Sequence, residues 1–276
     1  MRDFSSFLKS LYTALGALSI SQLFKLICSL PLLEDLKIRV FVACGNDGDG
    51  AASEPSTSPP LTGTLELQLI GEIEPVARRL LVLPNGLRFR EFECVWKLPD
   101  DPRWITALVE RCAETLECFY IRCKVSGKFH SLNHCDRVSN GLIVFAARDA
   151  GVSSINLSKA TSLGEVGFRL LDPSDVWAGS TLKTLTPNHK DLRRISIHMT
   201  IPEHANLQRI FNIDICNLWT DLDRTLIQLW ESNAILTRVT YAAGGEKTEA
   251  RRFVEQLLPE MTRRGIVELV DCSDSR

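Results

Sequence analysis

No stretch of this chain approaches the run of about 18 apolar residues that a membrane-crossing helix needs. Its longest early uncharged run, Ser10 to Phe24, is interrupted by hydroxyl and amide side chains, so no membrane span is expected. The opening MRDFSSFLKS carries an acid at Asp3 and has no compact apolar core, which is not the pattern of a secretory signal. A basic excess is missing as well: the net charge is −2, whereas general binding to nucleic acid requires a cationic surface. The nine cysteines form no C-x-x-C pair and are odd in number. Most sit among Leu, Ile and Phe, where a free thiol acts as a small hydrophobe, and a reducing compartment, cytoplasm or nucleus, is expected. G-x-S-x-G, P-loop and G-x-G-x-x-G motifs are absent, which removes the common signatures of acyl transfer and of nucleotide binding. Neither a catalytic residue nor a cofactor is expected.

What is present suits a folded chain. Of its 276 residues 45% are apolar and 24% charged, enough for a sizeable core in one large domain or two smaller ones. The stretch WITALVERCAETLECFYIRCKV, from Trp104 to Val125, changes period halfway. Asp101-Pro102 reads as an N-cap followed by proline at the first helical position. Ile105, Leu108, Val109 and Cys112 then recur with helical spacing. After Leu116 the pattern alternates, with Phe119, Ile121 and Cys123 on one side, as in a strand with one buried face.

Reduced to a hexad with apolar residues at positions 0, +3 and +5, this strand pattern recurs. LEDLKI begins at Leu33, FREFEC at Phe89, LECFYI at Leu116, LGEVGF at Leu163, LRRISI at Leu192 and LTRVTY at Leu236. A weaker copy, TGTLEL, begins at Thr62, and IVELVD at Ile266 keeps the first two anchors. At this apolar content such a hexad arises by chance roughly once in eleven starts, so its spacing has to carry the inference. Five of the seven intervals lie between 27 and 30 residues. Helical segments are expected at 21–29, 101–115, 176–185, 218–232 and 246–264, between hexads. A strand plus a helix at this period is the leucine-rich-repeat arrangement, in which a unit buries its apolar face only by stacking on its neighbours. The expected fold is α/β, a single right-handed strand–helix solenoid over 1–276. Residues 1–18 form a partial N-terminal cap, 44–60 a flexible loop and 246–276 a C-terminal cap.

The repeat is irregular. Two intervals are longer, 47 residues from Leu116 to Leu163 and 44 from Leu192 to Leu236. The first leaves room for an extra strand near 143–146 or 155–157, and a long helix around Trp219, Leu222, Leu226 and Trp230 fills the second. The asparagine usual at +8 is replaced by Phe41, Lys97, Lys124 and Leu171.

Candidate chemistry is sparse. Cys118, Cys123, His130 and His134 supply zinc-type ligands, but the gap between the pairs is short and the strand puts the two cysteines on opposite faces. No metal site is expected. NDGDG at 46–50 lacks the later bidentate Glu of a calcium loop. Ser196 and His198 share a strand face without an orienting acid, which makes no triad. Trp96, just after the strand core, stands at a possible edge. If the anchors face inward, positions +2, +4 and +6 form the concave face of the solenoid. The candidates for protein binding there are Lys37, Arg39, Gln68, Glu93, Tyr120, Arg122, Arg169, Arg194 and His198. An acidic patch is expected at Glu66, Glu91 and Glu93, and cationic rows at Arg122, Arg169 and Arg194. Tyr120 and the arginines are the residue types that dominate binding hot spots.

The phrases SISQLFKLICSLPLLEDLKI, DDPRWITALVERCAETLECFYIRCKV, INLSKATSLGEVGF, TLKTLTPNHKDLRRISIHM and LLPEMTRRGIVELV together resemble a large family from mushroom-forming fungi. Its members are usually labelled F-box or leucine-rich-repeat proteins. The resemblance runs from about Ser19 to Val270 and implies a scaffold rather than a reaction. In that family an F-box bundle docks the adaptor of a cullin-type ubiquitin ligase while the repeats hold the substrate. Only 18 residues precede Ser19, too few for an F-box, and SLPLLEDL at 29–36 is better explained as the first hexad. The resemblance thus implies substrate recognition for a ubiquitin ligase, with the F-box upstream in a fuller gene product or on a separate chain. A stand-alone interaction scaffold is the second expectation and an enzyme of unknown type a distant third.

Overall fold

The computed structural model describes residues 10–15, 20–30, 33–40, 61–68, 73–83, 85–98, 102–125, 154–170, 177–201, 213–233, 236–243 and 246–271. Nine strands run through them: β1 (Ser10–Leu15), β2 (Asp35–Val40), β3 (Leu61–Leu67), β4 (Leu87–Leu98), β5 (Cys118–Val125), β6 (Glu165–Leu170), β7 (Arg194–Ile201), β8 (Leu236–Ala243) and β9 (Val267–Asp271). All pair in parallel, in chain order from β1 to β9, in one sheet. The architecture is therefore α/β, with strands and helices alternating along the chain. Each of the eight hexads overlaps one strand from β2 to β9, while β1 lies in the segment expected to be a partial cap.

The helices are α1 (Ile20–Cys28), α2 (Glu74–Leu81), α3 (Arg103–Arg111), α4 (Trp177–Leu182), α5 (Ile213–Asn233), α6 (Lys247–Leu257) and α7 (Pro259–Arg263). Helix α2 is an addition to the sequence reading. It is only eight residues long, has Pro75 in its first turn, and buries Val76, Ala77 and Leu80. Glu74-Pro75 followed by that spacing was the available signal. At α3 the expected cap shifts by one position. Pro102 is already helical at φ −68°, so it occupies the capping position and its carbonyl accepts the Thr106 N–H at 2.9 Å.

Register explains why the hexads work as a repeat. The +3 anchors Leu36, Leu65, Phe92, Phe119, Val166 and Ile195 are successive partners across β2 to β7, and all are buried. Beneath them lie Phe24 and Ile27 of α1, Leu80 of α2, Leu108 of α3 and Leu182 of α4 in one continuous core. Each turn is also tied to the next ahead of the strand. The Glu117 N–H donates to Arg90 O at 2.7 Å, Gly164 to Glu117 O at 2.7 Å, and Arg193 to Gly164 O at 2.9 Å. A unit without its neighbours would leave these backbone groups unpaired, which is the physical basis of mutual dependence.

Across both long intervals the flanking strands are direct neighbours: β5 pairs with β6, and β7 with β8. The extra strand suggested at 155–157 is an extended segment outside the sheet, and 143–146 lies outside the described residues. The backbone of 155–157 is held by threonines on α3, on α4 and in the turn after α4, and by a histidine. The N–H groups of Ile155, Asn156 and Leu157 donate to Oγ1 of Thr181, Thr106 and Thr184 at 3.2, 3.1 and 2.9 Å. Leu157 O lies 3.0 Å from Nε2 of buried His189, whose Nδ1 accepts the Thr186 N–H at 3.0 Å. These contacts tie the segment to residues some 26 to 50 positions away in the chain.

Buried Asp223 on α5 accepts the N–H groups of Glu260 at 3.0 Å and Met261 at 3.1 Å, fastening α7 to α5. Asp223→Ala should cost about 1–3 kcal/mol, since it strands two donors at a helix start. Urea unfolding of the purified variant would measure this, and a loss under about 0.5 kcal/mol would show that the contact is dispensable.

Candidate binding face

With the anchors turned toward the helices, the intervening residues form the opposite face of the sheet, and most are half-buried or exposed. They make three rows across the strands. The first contains Asp35, Thr64, Glu91, Cys118, Glu165 and Arg194; the second, Lys37, Glu66, Glu93, Tyr120, Gly167, Ser196, Arg238 and Glu268. The third holds Val95, Arg122, Arg169, His198, Thr240 and Val270, preceded on β2 and β3 by Arg39 and Gln68. The side chain of Arg39 and that of Trp96 lie outside the described residues, as do His130, His134 and the NDGDG segment.

Two features depart from simple repetition of the hexad. First, β8 is displaced by two residues from its hexad phase: Ile195 pairs with Thr237 and Ile197 with Val239. The shift is even, so faces are preserved, but Arg238 stands beside Ser196 and Thr240 beside His198. Second, Glu66, Val95 and Gly167 are buried although their positions alternate outward. Glu66 is covered by its partners, Lys37 Nζ at 3.0 Å and Gln68 Nε2 at 2.5 Å. The proposed acidic patch is thus largely compensated within the face. That contact, with the charge of Glu66, raises the Lys37 pKa, so the ammonium persists.

Tyr120 fills the space that glycine leaves at 167. A Cβ added to Gly167 would stand 2.3 Å from Tyr120 Cδ1, so the ring lies across the backbone of β6. Burial and the neighbouring Glu165 push its phenol well above the usual range. Burial, then Glu91, Glu165 and Glu117, likewise raise the Cys118 thiol. On the helix side, burial takes Cys112 up to about 11. Neither cysteine is an activated nucleophile. Ser196 Oγ donates to Glu165 Oε1 at 3.1 Å, which spends its hydroxyl proton on a carboxylate of the neighbouring strand.

Most charges here are matched across strands. Glu93 meets Arg122 at 3.7 Å, Glu165 meets Arg194 at 3.5 Å, and Arg238 gives Glu268 two hydrogen bonds at 2.8 and 3.2 Å. Among the described residues Arg169, exposed in the third row, makes no ion pair with a carboxylate. Burial, then Arg169 and Arg122, hold the pKa of His198 below its ordinary value, so the imidazole is neutral at neutral pH. Pairs so exposed contribute little stability, and their effect is on the shape and potential of the surface.

No family model, curated protein or solved structure matches this chain. Among the described residues no helix is long and apolar enough to cross a membrane.

Proposed function

We propose that this chain is a leucine-rich-repeat-like solenoid that binds another protein on its helix-free sheet face and catalyses nothing itself. The observation that carries the reading is the strand order. Crossovers between parallel strands are right-handed almost without exception, and nine strands stepping always in one direction put every crossover on the same side. Among the described residues no helix covers the other face, whereas an ordinary parallel sheet is covered on both. That face is broad, polar, held in register by hydrogen bonds, and set with Tyr120 and several arginines.

Within this reading, substrate recognition for an F-box/cullin-type ubiquitin ligase is the preferred role. It is supported by the resemblance of the repeat phrases to fungal F-box and leucine-rich-repeat proteins. A scaffold with no ligase link is the alternative. Affinity capture from fungal extract separates them, using the tagged chain and the same chain extended by its upstream reading frame. The ligase role predicts cullin and its adaptor with the extended chain alone. A partner captured by both without cullin supports the plain scaffold. In either case Tyr120→Ala with Ser196→Arg should abolish capture, and Arg252→Glu on the outer side of α6 should not. A partner indifferent to the face variant would sink the protein-binding reading of this face.

A further inference from the structure

We propose that the carboxyl-terminal side of the open face is a docking site for an acidic segment of the partner, a run of Asp and Glu side chains seated on Arg122 and Arg169 beside His198. The inference rests on the protein-binding reading above and names the chemistry it would recognise.

The argument begins with topology. In a sheet of parallel strands all carboxyl-terminal ends lie along one edge, so charges that recur late in successive strands add into one band. Arg122 and Arg169 are direct partners on β5 and β6, and His198 is the partner of Arg169 on β7. Neighbouring strands are ~4.8 Å apart, so two guanidiniums and an imidazole fall within the span of one or two carboxylates. From β2 to β9 the third row contains no Asp or Glu. The first row, at the opposite ends of the same strands, contains Asp35, Glu91 and Glu165. A chain with a net charge of −2 thus presents a face that is cationic along one edge and acidic along the other.

Pairing within the face points to the same place. Lys37, Arg194 and Arg238 are each held by a carboxylate of the face. The contact of Arg122 with Glu93, at 3.7 Å, is longer than a hydrogen bond. Arg169, exposed and without an ion pair among the described residues, is where an incoming carboxylate breaks no described salt bridge. An acidic peptide fits better than nucleic acid. A phosphate backbone crossing this narrow band would run onto the carboxylates of the first row, and among the described positions of the three rows the rings for stacking are those of Tyr120 and His198 alone.

The test is fluorescence anisotropy of a labelled poly-glutamate peptide titrated with the full chain at low ionic strength. Binding should weaken steeply as salt is added. Arg122→Glu with Arg169→Glu should weaken it by at least ~tenfold, while Arg252→Glu on α6 should leave it unchanged. Circular dichroism of each variant ensures that the comparison is between folded proteins. Equal affinity of the chain and the double variant would overturn the site. So would binding confined to a phosphoserine peptide lacking Asp and Glu, or tighter binding of a single-stranded oligonucleotide. The capture experiment is read on Tyr120 and Ser196 in the second row, so failure of the acidic-segment site is distinguishable from failure of the protein-binding face.

Discussion

Phe119→Ala is expected to lower the free energy of unfolding by about 3–5 kcal/mol, the cost of truncating a fully buried aromatic. Phe119 is 0% exposed and stands in the middle of the sheet, between Phe92 on β4 and Val166 on β6. Its ring lies 5.7 Å from that of Phe92 in a tilted arrangement, which adds to the area it buries. Neighbouring side chains belong to separate turns whose backbones are already tied to one another, so they cannot close over the cavity without breaking those ties. Arg122→Ala, three residues on and facing outward, should stay within about 0.5 kcal/mol of the unchanged protein. Urea unfolding followed by tryptophan fluorescence compares the two. Comparable losses would mean that the two faces of β5 are assigned the wrong way round.

Gly63→Val should cost roughly 2–3 kcal/mol or more, through the backbone rather than through lost burial. Gly63 has φ +78°, a conformation that a β-branched residue adopts only under strain. A Cβ there would stand 2.6 Å from Glu34 O and 2.8 Å from Glu34 C, both main-chain atoms that cannot swing aside. The position is also where the pairing of β3 with β4 shifts by one residue, between Gly63 and Thr64. Without that shift the outer row would fall out of phase, because a slip of one residue exchanges the faces of a strand. Gly265→Val provides the control: its φ is also positive, at +68°, but nothing lies within 4 Å of an added Cβ. Unfolding in urea should therefore separate strain plus collision at Gly63 from strain alone at Gly265. Equal losses would show that the contact with Glu34 is relieved at no cost.

The weak hexad beginning at Thr62 owes its imperfection to this irregularity. Glycine at +1 and half-buried threonine at 0 give a faint apolar signal, yet Leu65 and Leu67 are buried as fully as their counterparts. Helix α2 was missed for a related reason, since two turns offer too few positions for a 3.6-residue period to stand out. The extended segment at 155–157 carries a strand's alternation because Ile155 and Leu157 are buried against helices, and burial on one side gives the same period outside a sheet as within it.

Where the strands lie, and which side chains face the core, was decided by local alternation: Phe92 and Cys94, Phe119 and Ile121, Val166 and Phe168, and Ile195 and Ile197 are apolar two residues apart, and water rejects that face in any context. The same alternation identified the open face, Arg122, Arg169 and His198 included. Tertiary structure alone decided what those residues meet. The two-residue displacement of β8, the covering of Glu66 by Lys37 and Gln68, and the seat of Tyr120 over Gly167 each depend on which residues of separate turns stand side by side. Register between strands some thirty residues apart is set by packing and hydrogen bonding through space, and a period read along one strand carries no record of its neighbour's phase.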